Sequence, residues 1–231
     1  MARPDRRGGG SYGTRRDLLQ RARGIAVLAL AAAAVSPGSA TAAPRRPLRL
    51  VALGDSLTAG YQLPANAAFP AVLEAELKKR GHAVEIANAG VSGDTSTGGL
   101  DRLDWSVPEG TDGVILELGA NDMLRGIDPD VTRRALDTIV TRLKGRNIPV
   151  MLAGMYAVRN LGPDYVRRFE AVYSDLAARD GLVFYPFFLD GVTGETRMTL
   201  RDGLHPSAEG VRRIVERILP SVETFVQRLG S

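Results

Sequence analysis

Leu50-Val51-Ala52-Leu53-Gly54-Asp55-Ser56-Leu57 reads as a strand that ends on a turn carrying a serine. Four apolar residues in a row suit a strand covered on both faces. Gly54 and Asp55 break the run, which sets Ser56 at the carboxyl end of that strand. Far downstream, Asp202-Gly203-Leu204-His205 offers a carboxylate and an imidazole three residues apart. A serine hydroxyl is a weak nucleophile until a base takes its proton, and the base needs a third group to orient it. Ser56, His205 and Asp202 fit those parts in a chain that has only two histidines. Nucleophilic chemistry on Ser56 is therefore the leading expectation.

Outward from this stretch, short apolar runs alternate with segments of helical period. The runs predict strands at 48–53, 83–88, 113–118, 148–154 and 182–187. Between them, Phe69, Val72, Leu73 and Leu77 share one helical face, as do Val131, Leu136, Ile139, Val140 and Leu143. Phe169, Val172, Tyr173 and Leu176 repeat the pattern. So do Val211, Ile214, Val215, Ile218 and Leu219, in a helix that Pro220 is expected to kink. Strand and helix in strict alternation imply an α/β fold: a three-layer α/β/α sandwich around a five-stranded parallel sheet. In such sheets ligands bind outside the carboxyl ends of the strands. Ser56, Gly93 and Asn121 follow the first, second and third strands and satisfy that rule. His82 precedes the second strand, at the wrong end, and reads as a surface loop residue.

A hydrolytic serine needs donors aimed where negative charge develops on the carbonyl oxygen. Val91-Ser92-Gly93-Asp94-Thr95 is a turn of small residues in which Gly93 lets a backbone N–H approach a ligand. Asn121, in Gly119-Ala120-Asn121-Asp122, offers a side-chain amide. Taken separately, each stretch reads more simply as an ordinary turn, with Asn121 and Asp122 capping the next helix. Asp55, Asp94 and Asp122 suit turn and cap hydrogen bonding, because an acid beside the oxyanion would oppose its charge. Pro206 suits the first position of the final helix. Trp105 and the phenylalanines read as core packing.

Taken together and in order, four blocks resemble one family: Gly54-Asp55-Ser56-Leu57-Thr58, Ser92-Gly93-Asp94-Thr95, Gly119-x-Asn121-Asp122 and Asp202-x-x-His205. They look like those of the SGNH, or GDSL, hydrolases, and the resemblance covers residues 48–225. Leu118 to Gly126 and Gly162 to Phe169 are similar to its small exported branch of thioesterases, lysophospholipases and arylesterases. The resemblance implies Ser56 as nucleophile, His205 as general base and acid, and Asp202 as its orienter. It also implies an oxyanion hole made of the Ser56 and Gly93 N–H groups with the Asn121 amide. No cofactor and no metal are implied. The substrate would be a small acyl or aryl ester, a thioester or a lysophospholipid, with transient contact to lipid and no obligate protein partner.

The substrate slot is expected from apolar residues beyond the third and fourth strands: Met123, Leu124, Met155, Tyr156, Val158 and Leu161. An apolar slot suits an acyl chain or aryl group better than a sugar. Two other readings compete. An α/β-hydrolase would carry G-x-S-x-G, and this serine lacks the second glycine. A flavodoxin-like phosphate- or flavin-binding module would use Ser56-Leu57-Thr58-Ala59-Gly60 as a cradle, but it leaves Asn121, Asp202 and His205 without work.

The amino-terminal segment has the layout of an export leader. Residues 1–23 hold seven arginines, Gly24 to Val35 is almost wholly apolar, and Ala40-Thr41-Ala42 forms an A-x-A cleavage site. The apolar run is too short for the roughly 20 residues that span a bilayer. Thr14-Arg15-Arg16-Asp17-Leu18-Leu19 resembles a twin-arginine export signal, with the general secretory route as the alternative. The expected division is thus a leader over 1–42 and a hydrolase domain over 43–231, exported to the periplasm or the medium. The leader holds 7 of the 30 basic and 2 of the 26 acidic residues. The remainder is close to neutral and gives no reason to expect a nucleic-acid partner. The chain has no cysteine, which excludes a thiol nucleophile and thiolate metal sites.

Overall fold

The computed structural model describes residues 46–230. The expected leader lies outside the described residues. Five parallel strands form the sheet: β1 (Leu48–Gly54), β2 (Val84–Gly90), β3 (Gly113–Glu117), β4 (Val150–Ala153) and β5 (Val183–Tyr185). The helices are α1 (Ser56–Ala59), α2 (Phe69–Lys79), α3 (Ser96–Asp101), α4 (Leu103–Ser106), α5 (Ala120–Leu124), α6 (Pro129–Gly145), α7 (Pro163–Asp180) and α8 (Ala208–Gly230). The strand order is β2-β1-β3-β4-β5. The chain winds one way from β1 to β2 and the other way from β3 onward, so β1 and β3 flank a topological switch point.

Burial explains why the runs became strands. Every residue of β3 and β4 is buried, as are the last five of β1, which fits strands covered on both faces. On the edge strand β2, buried Val84 and Ile86 alternate with exposed Glu85 and Ala87, so one face is open. On one side α2 packs on α8, and on the other α6 packs on α3 and α7. The expected helical faces are the ones that meet: Phe69, Leu73 and Leu77 of α2, Ile214, Ile218 and Phe225 of α8, and Leu136, Ile139 and Leu143 of α6 are all in the core. Burying a Leu, Ile or Phe side chain contributes about 1.5–3 kcal/mol each.

Several local expectations are corrected. The second strand runs two residues further than expected, pairing Gly90 with Gly54. The fifth stops at Tyr185, where Pro186 has no N–H to donate. The fourth begins only at Val150, because Asn147 adopts a left-handed turn and the Ile148 N–H bonds back to Leu143. Pro206 does not open the final helix. It pairs with Thr199 in an isolated antiparallel bridge, and Ser207 caps α8 instead, its Oγ accepting the Gly210 N–H at 3.2 Å. The helix then runs on through Pro220 to Gly230. Trp105 is not core: it lies on the one-turn α4 and is 73% exposed.

Candidate active site

The turn after β1 sets the first group. Asp55 caps α1, its Oδ1 accepting the Leu57 N–H at 2.9 Å. Ser56 is therefore the first residue of a single helical turn, held at the end of a buried strand. Gly60 ends that turn in the left-handed conformation, and the next residue, Tyr61, donates its N–H to the Ser56 carbonyl.

His205 and Asp202 arrive from the loop between β5 and α8. The Leu200 N–H bonds the His205 carbonyl at 2.7 Å, and beside it stands the Thr199–Pro206 bridge. Within this small clasp the Asp202 Oδ1 accepts the N–H groups of Leu204 (2.9 Å) and His205 (3.0 Å). Its Oδ2 lies 2.7 Å from His205 Nδ1, and His205 Nε2 lies 2.9 Å from Ser56 Oγ. The His205 and Leu204 N–H groups, with the imidazole, hold the Asp202 carboxyl down at about 2. Asp202 is thus an ionised acceptor. It accepts a hydrogen bond from Nδ1–H, which leaves Nε2 free to accept from the serine hydroxyl. Tyr61 packs against the imidazole, with ring centroids 4.4 Å apart and the rings tilted by 36°.

The turns after β2 and β3 come to the same edge. Gly93 has φ +86, which few other residues adopt, and its carbonyl accepts from the Arg125 guanidinium at 2.7 Å. Gly119 has φ +117, and a Cβ there would lie 2.0 Å from the Tyr173 hydroxyl, so glycine is required on both counts. Asn121 follows inside α5 and does not cap it; the cap residue is Gly119, with no side-chain bond. The Asn121 amide instead donates to Asp55 Oδ2 at 3.1 Å and to the Asp94 carbonyl at 3.0 Å. The amide thereby links the nucleophile turn to the Gly93 turn. Asp122 is not a cap either: it is fully buried and accepts from Ser96 and Thr132, tying α5 to α3 and α6.

Two groups behind the site were not anticipated. Arg102 is 6% exposed and reaches four partners. It donates to Asp94 at 2.6 Å, to the carbonyls of Gly54 (2.7 Å) and Ala89 (2.8 Å), and to Ser106. One cation therefore holds the ends of β1 and β2 and the Gly93 turn together. Glu117 closes β3 beneath the turn, with Oε2 accepting the Thr58 hydroxyl at 2.8 Å and no protein partner for Oε1. Burial, and then the neighbouring Asp55, push its carboxyl well above the usual range. Burial also pushes Asp55 up to about 6, against the Leu57 N–H and the Asn121 amide, which favour its charged form.

A cavity of about 450 Å³ opens beside Ser56 and His205. Met123, Leu124, Met155, Tyr156 and Val158 line it as expected, and Asn121 stands at its wall. Leu161 does not. It packs, half-buried, against the core and acts as a loop anchor. Gly93 is outside the lining and meets the site through its neighbour's carbonyl on Asn121. Phe187, Leu189 and Val192 complete the apolar wall, and Tyr156 stacks on Phe187 at 4.5 Å. The strand-end rule applied to β5 would have found Phe187 and Leu189. A second cavity of about 430 Å³, lined in part by Ile148, Leu182 and Phe225, lies at the amino ends of the strands and holds none of these groups. Among the described residues no three His, Cys, Asp or Glu side chains gather to hold a metal ion. His82 is at the opposite end of the sheet, half-buried, 3.2 Å from Glu223.

The model of the GDSL-like Lipase/Acylhydrolase family matches residues 52–213. Esterase TesA of Pseudomonas aeruginosa is 35% identical over 178 residues, which cover 77% of this chain and 89% of that protein. An arylesterase of Vibrio mimicus is 37% identical over 169 residues, 73% of this chain and 84% of that protein. A crystal structure of TesA superposes with a TM-score of 0.72 at 34% identity, covering 76% of this chain and 98% of the other. That of AlinE4, described as an SGNH-hydrolase family esterase, gives 0.67 at 38% identity over 79% of this chain and 98% of the other. The four sequence blocks, the parallel sheet and these relatives agree, and the chain belongs to the GDSL-like lipase/acylhydrolase family.

Proposed function

We propose that this protein hydrolyses carboxylic esters and thioesters through an acyl-enzyme on Ser56. The observation that carries the reading is the hydrogen-bonded line Ser56–His205–Asp202 beside an apolar cavity. As the Ser56 oxygen attacks the acyl carbon, His205 Nε2 takes its proton, and Asp202 steadies the imidazolium that results. Negative charge passes to the carbonyl oxygen, and the Ser56 and Gly93 N–H groups with the Asn121 amide are proposed as its donors; Ser56 and Asn121 line the cavity, and the Asp94 carbonyl beside Gly93 meets the Asn121 amide. Collapse of the tetrahedral intermediate breaks the bond to the leaving group, which departs with the proton from His205. Water then repeats the sequence on the acyl-serine, losing its proton to His205, and Ser56 is released with the free acid.

The cavity argues for acyl chains and aryl groups. Its walls are Met, Leu, Val, Tyr and Phe side chains, which gain by leaving water but offer a sugar few partners. The names of the relatives (esterase, arylesterase, thioesterase 1/lysophospholipase L1) span the same substrate classes. The binding-module reading gains nothing from the site, since it gives the Ser56–His205–Asp202 line no task. Rates on p-nitrophenyl esters from acetyl to palmitoyl, beside acyl-CoA and lysophospholipid, test the proposal. Turnover of at least one class, nearly all of it lost in Ser56→Ala, is expected; no turnover of any class contradicts it.

Residues 1–42 are proposed to be a cleavable twin-arginine leader that delivers the domain over 43–231 to the periplasm or the medium. The Arg15-Arg16 pair, the short apolar run and the A-x-A site support this. Among the described residues no helix is long and apolar enough to cross a membrane.

A further inference from the structure

Asp55 does more than a helix cap requires. Its side chain is fully buried, and its two oxygens serve different partners. Oδ1 takes the Leu57 N–H at 2.9 Å, which is the cap. Oδ2 takes the Asn121 amide at 3.1 Å, across 66 positions of sequence, joining the turn after β1 to the turn after β3. A cap alone is served as well by serine or asparagine, without an acid beside the oxyanion. The carboxylate is needed for its second oxygen, because that oxygen faces a donor. The amide has no other cause for its orientation on this side: Asn121 caps nothing, and its remaining contact is the Asp94 carbonyl at 3.0 Å.

We propose that Asp55 is a positioning residue that holds the Asn121 amide nitrogen toward the pocket and fixes it relative to the Ser56 backbone N–H. This rests on the reading of Ser56 and Asn121 as oxyanion donors. Two amide protons have two acceptors in the substrate-free protein. As charge grows on the substrate oxygen, that oxygen comes to share the proton now on the Asp94 carbonyl, while Asp55 keeps the other proton and prevents the amide from rotating. Asp55 touches no reacting atom; it acts through Asn121.

Substitution by asparagine breaks this arrangement at constant size. Whichever way the new amide is turned, its nitrogen faces either the Leu57 N–H or the Asn121 nitrogen, donor against donor. Asp55→Ser is the second variant, since a hydroxyl caps Leu57 but is too short to reach Asn121. The experiment measures kcat and KM for Asp55→Asn, Asp55→Ser, Asn121→Ala and the Asp55→Asn/Asn121→Ala double variant. Each is normalised to the sites titrated by a fluorophosphonate, so that only folded, reactive protein is counted.

Both Asp55 variants are expected to lose about 10²-fold in kcat, and Asn121→Ala about 10²–10³-fold, with KM changed much less. Because Asp55 acts through Asn121, the double variant should be no more than about threefold below Asn121→Ala. Multiplied losses in the double variant, or wild-type kcat in Asp55→Ser, overturn the positioning role and leave the oxyanion reading intact. Wild-type kcat in Asn121→Ala removes the oxyanion reading and the positioning role with it.

Discussion

His205 Nε2 lies 2.9 Å from Ser56 Oγ across 149 positions of sequence. The contact joins the first strand's turn to the last loop of the sheet, so the site is complete only when the whole domain has folded. The other histidine supplies an internal control. His205→Ala should lower kcat by on the order of 10⁴–10⁶-fold. His82→Ala should leave kcat unchanged, because His82 contacts Glu223 at the far end of the strands. Esterase assays of the two variants side by side check this; equal losses would place the base elsewhere.

Asp202 makes a prediction about pH. Its carboxyl is held at about 2 in the folded protein, below its ordinary range. The unfolded chain therefore takes up the proton first as pH falls. The group's contribution to stability is complete above about pH 4 and is lost as pH drops through that window toward 2. At assay pH Asp202 is always ionised, so Asp202→Asn should reduce kcat by up to about 10⁴-fold at every pH between about 5 and 9. A pH–rate profile of the variant decides it. A defect that disappears at higher pH would show that the charge on Asp202 is not what the imidazole needs.

Arg102 carries a stability prediction. Arg102→Met removes the guanidinium donor from the carbonyls of Gly54 and Ala89 and from one oxygen of Asp94, in a place water barely reaches, and leaves Gly54 only the Val91 N–H. Removing one partner of a buried pair typically costs about 3–5 kcal/mol, and Asp94 is open enough to expect the lower end. Urea unfolding should show a midpoint reduced accordingly. A loss under about 1 kcal/mol would mean that the strand ends are held by the sheet alone.

Tyr61 packs its ring against that of His205, tilted by 36° with 4.4 Å between centroids. The contact belongs to the ring and not the hydroxyl. It steadies the imidazole and favours its cation, an effect of about 0.5–1 kcal/mol at an exposed site. Tyr61→Ala should therefore lower kcat by about two- to fivefold while Tyr61→Phe stays at the wild-type value. Equal losses in both variants would assign the effect to the hydroxyl.

The sheet was legible because its three central strands are buried on both faces, so each announces itself as an unbroken apolar run. The carboxyl-end rule then brought Ser56, Gly93 and Asn121 to one edge without any knowledge of their contacts. The rest was hidden for physical reasons. Trp105 sits on a single helical turn, too short to show a period, and its exposure could not be read. Pro206 satisfies the stereochemistry of a helix start and of a strand bridge alike, and only the pairing with Thr199 decides. Leu161 is as apolar as Val158, but the loop turns between them, sending one to the core and the other to the cavity. Arg102 meets Asp94 eight positions away and Gly54 forty-eight positions away, a pairing that no local pattern encodes.

Covalent trapping of Ser56 tests the central claim most directly. A fluorophosphonate should add one group per chain, recovered by peptide mass spectrometry on Ser56, with esterase activity lost in step. Ser56→Ala should take up no label and keep its melting temperature, while retaining a residual rate of about 10³–10⁴-fold over water from binding and the oxyanion donors. Stoichiometric labelling of another serine, or a fully active Ser56→Ala protein, would contradict the account.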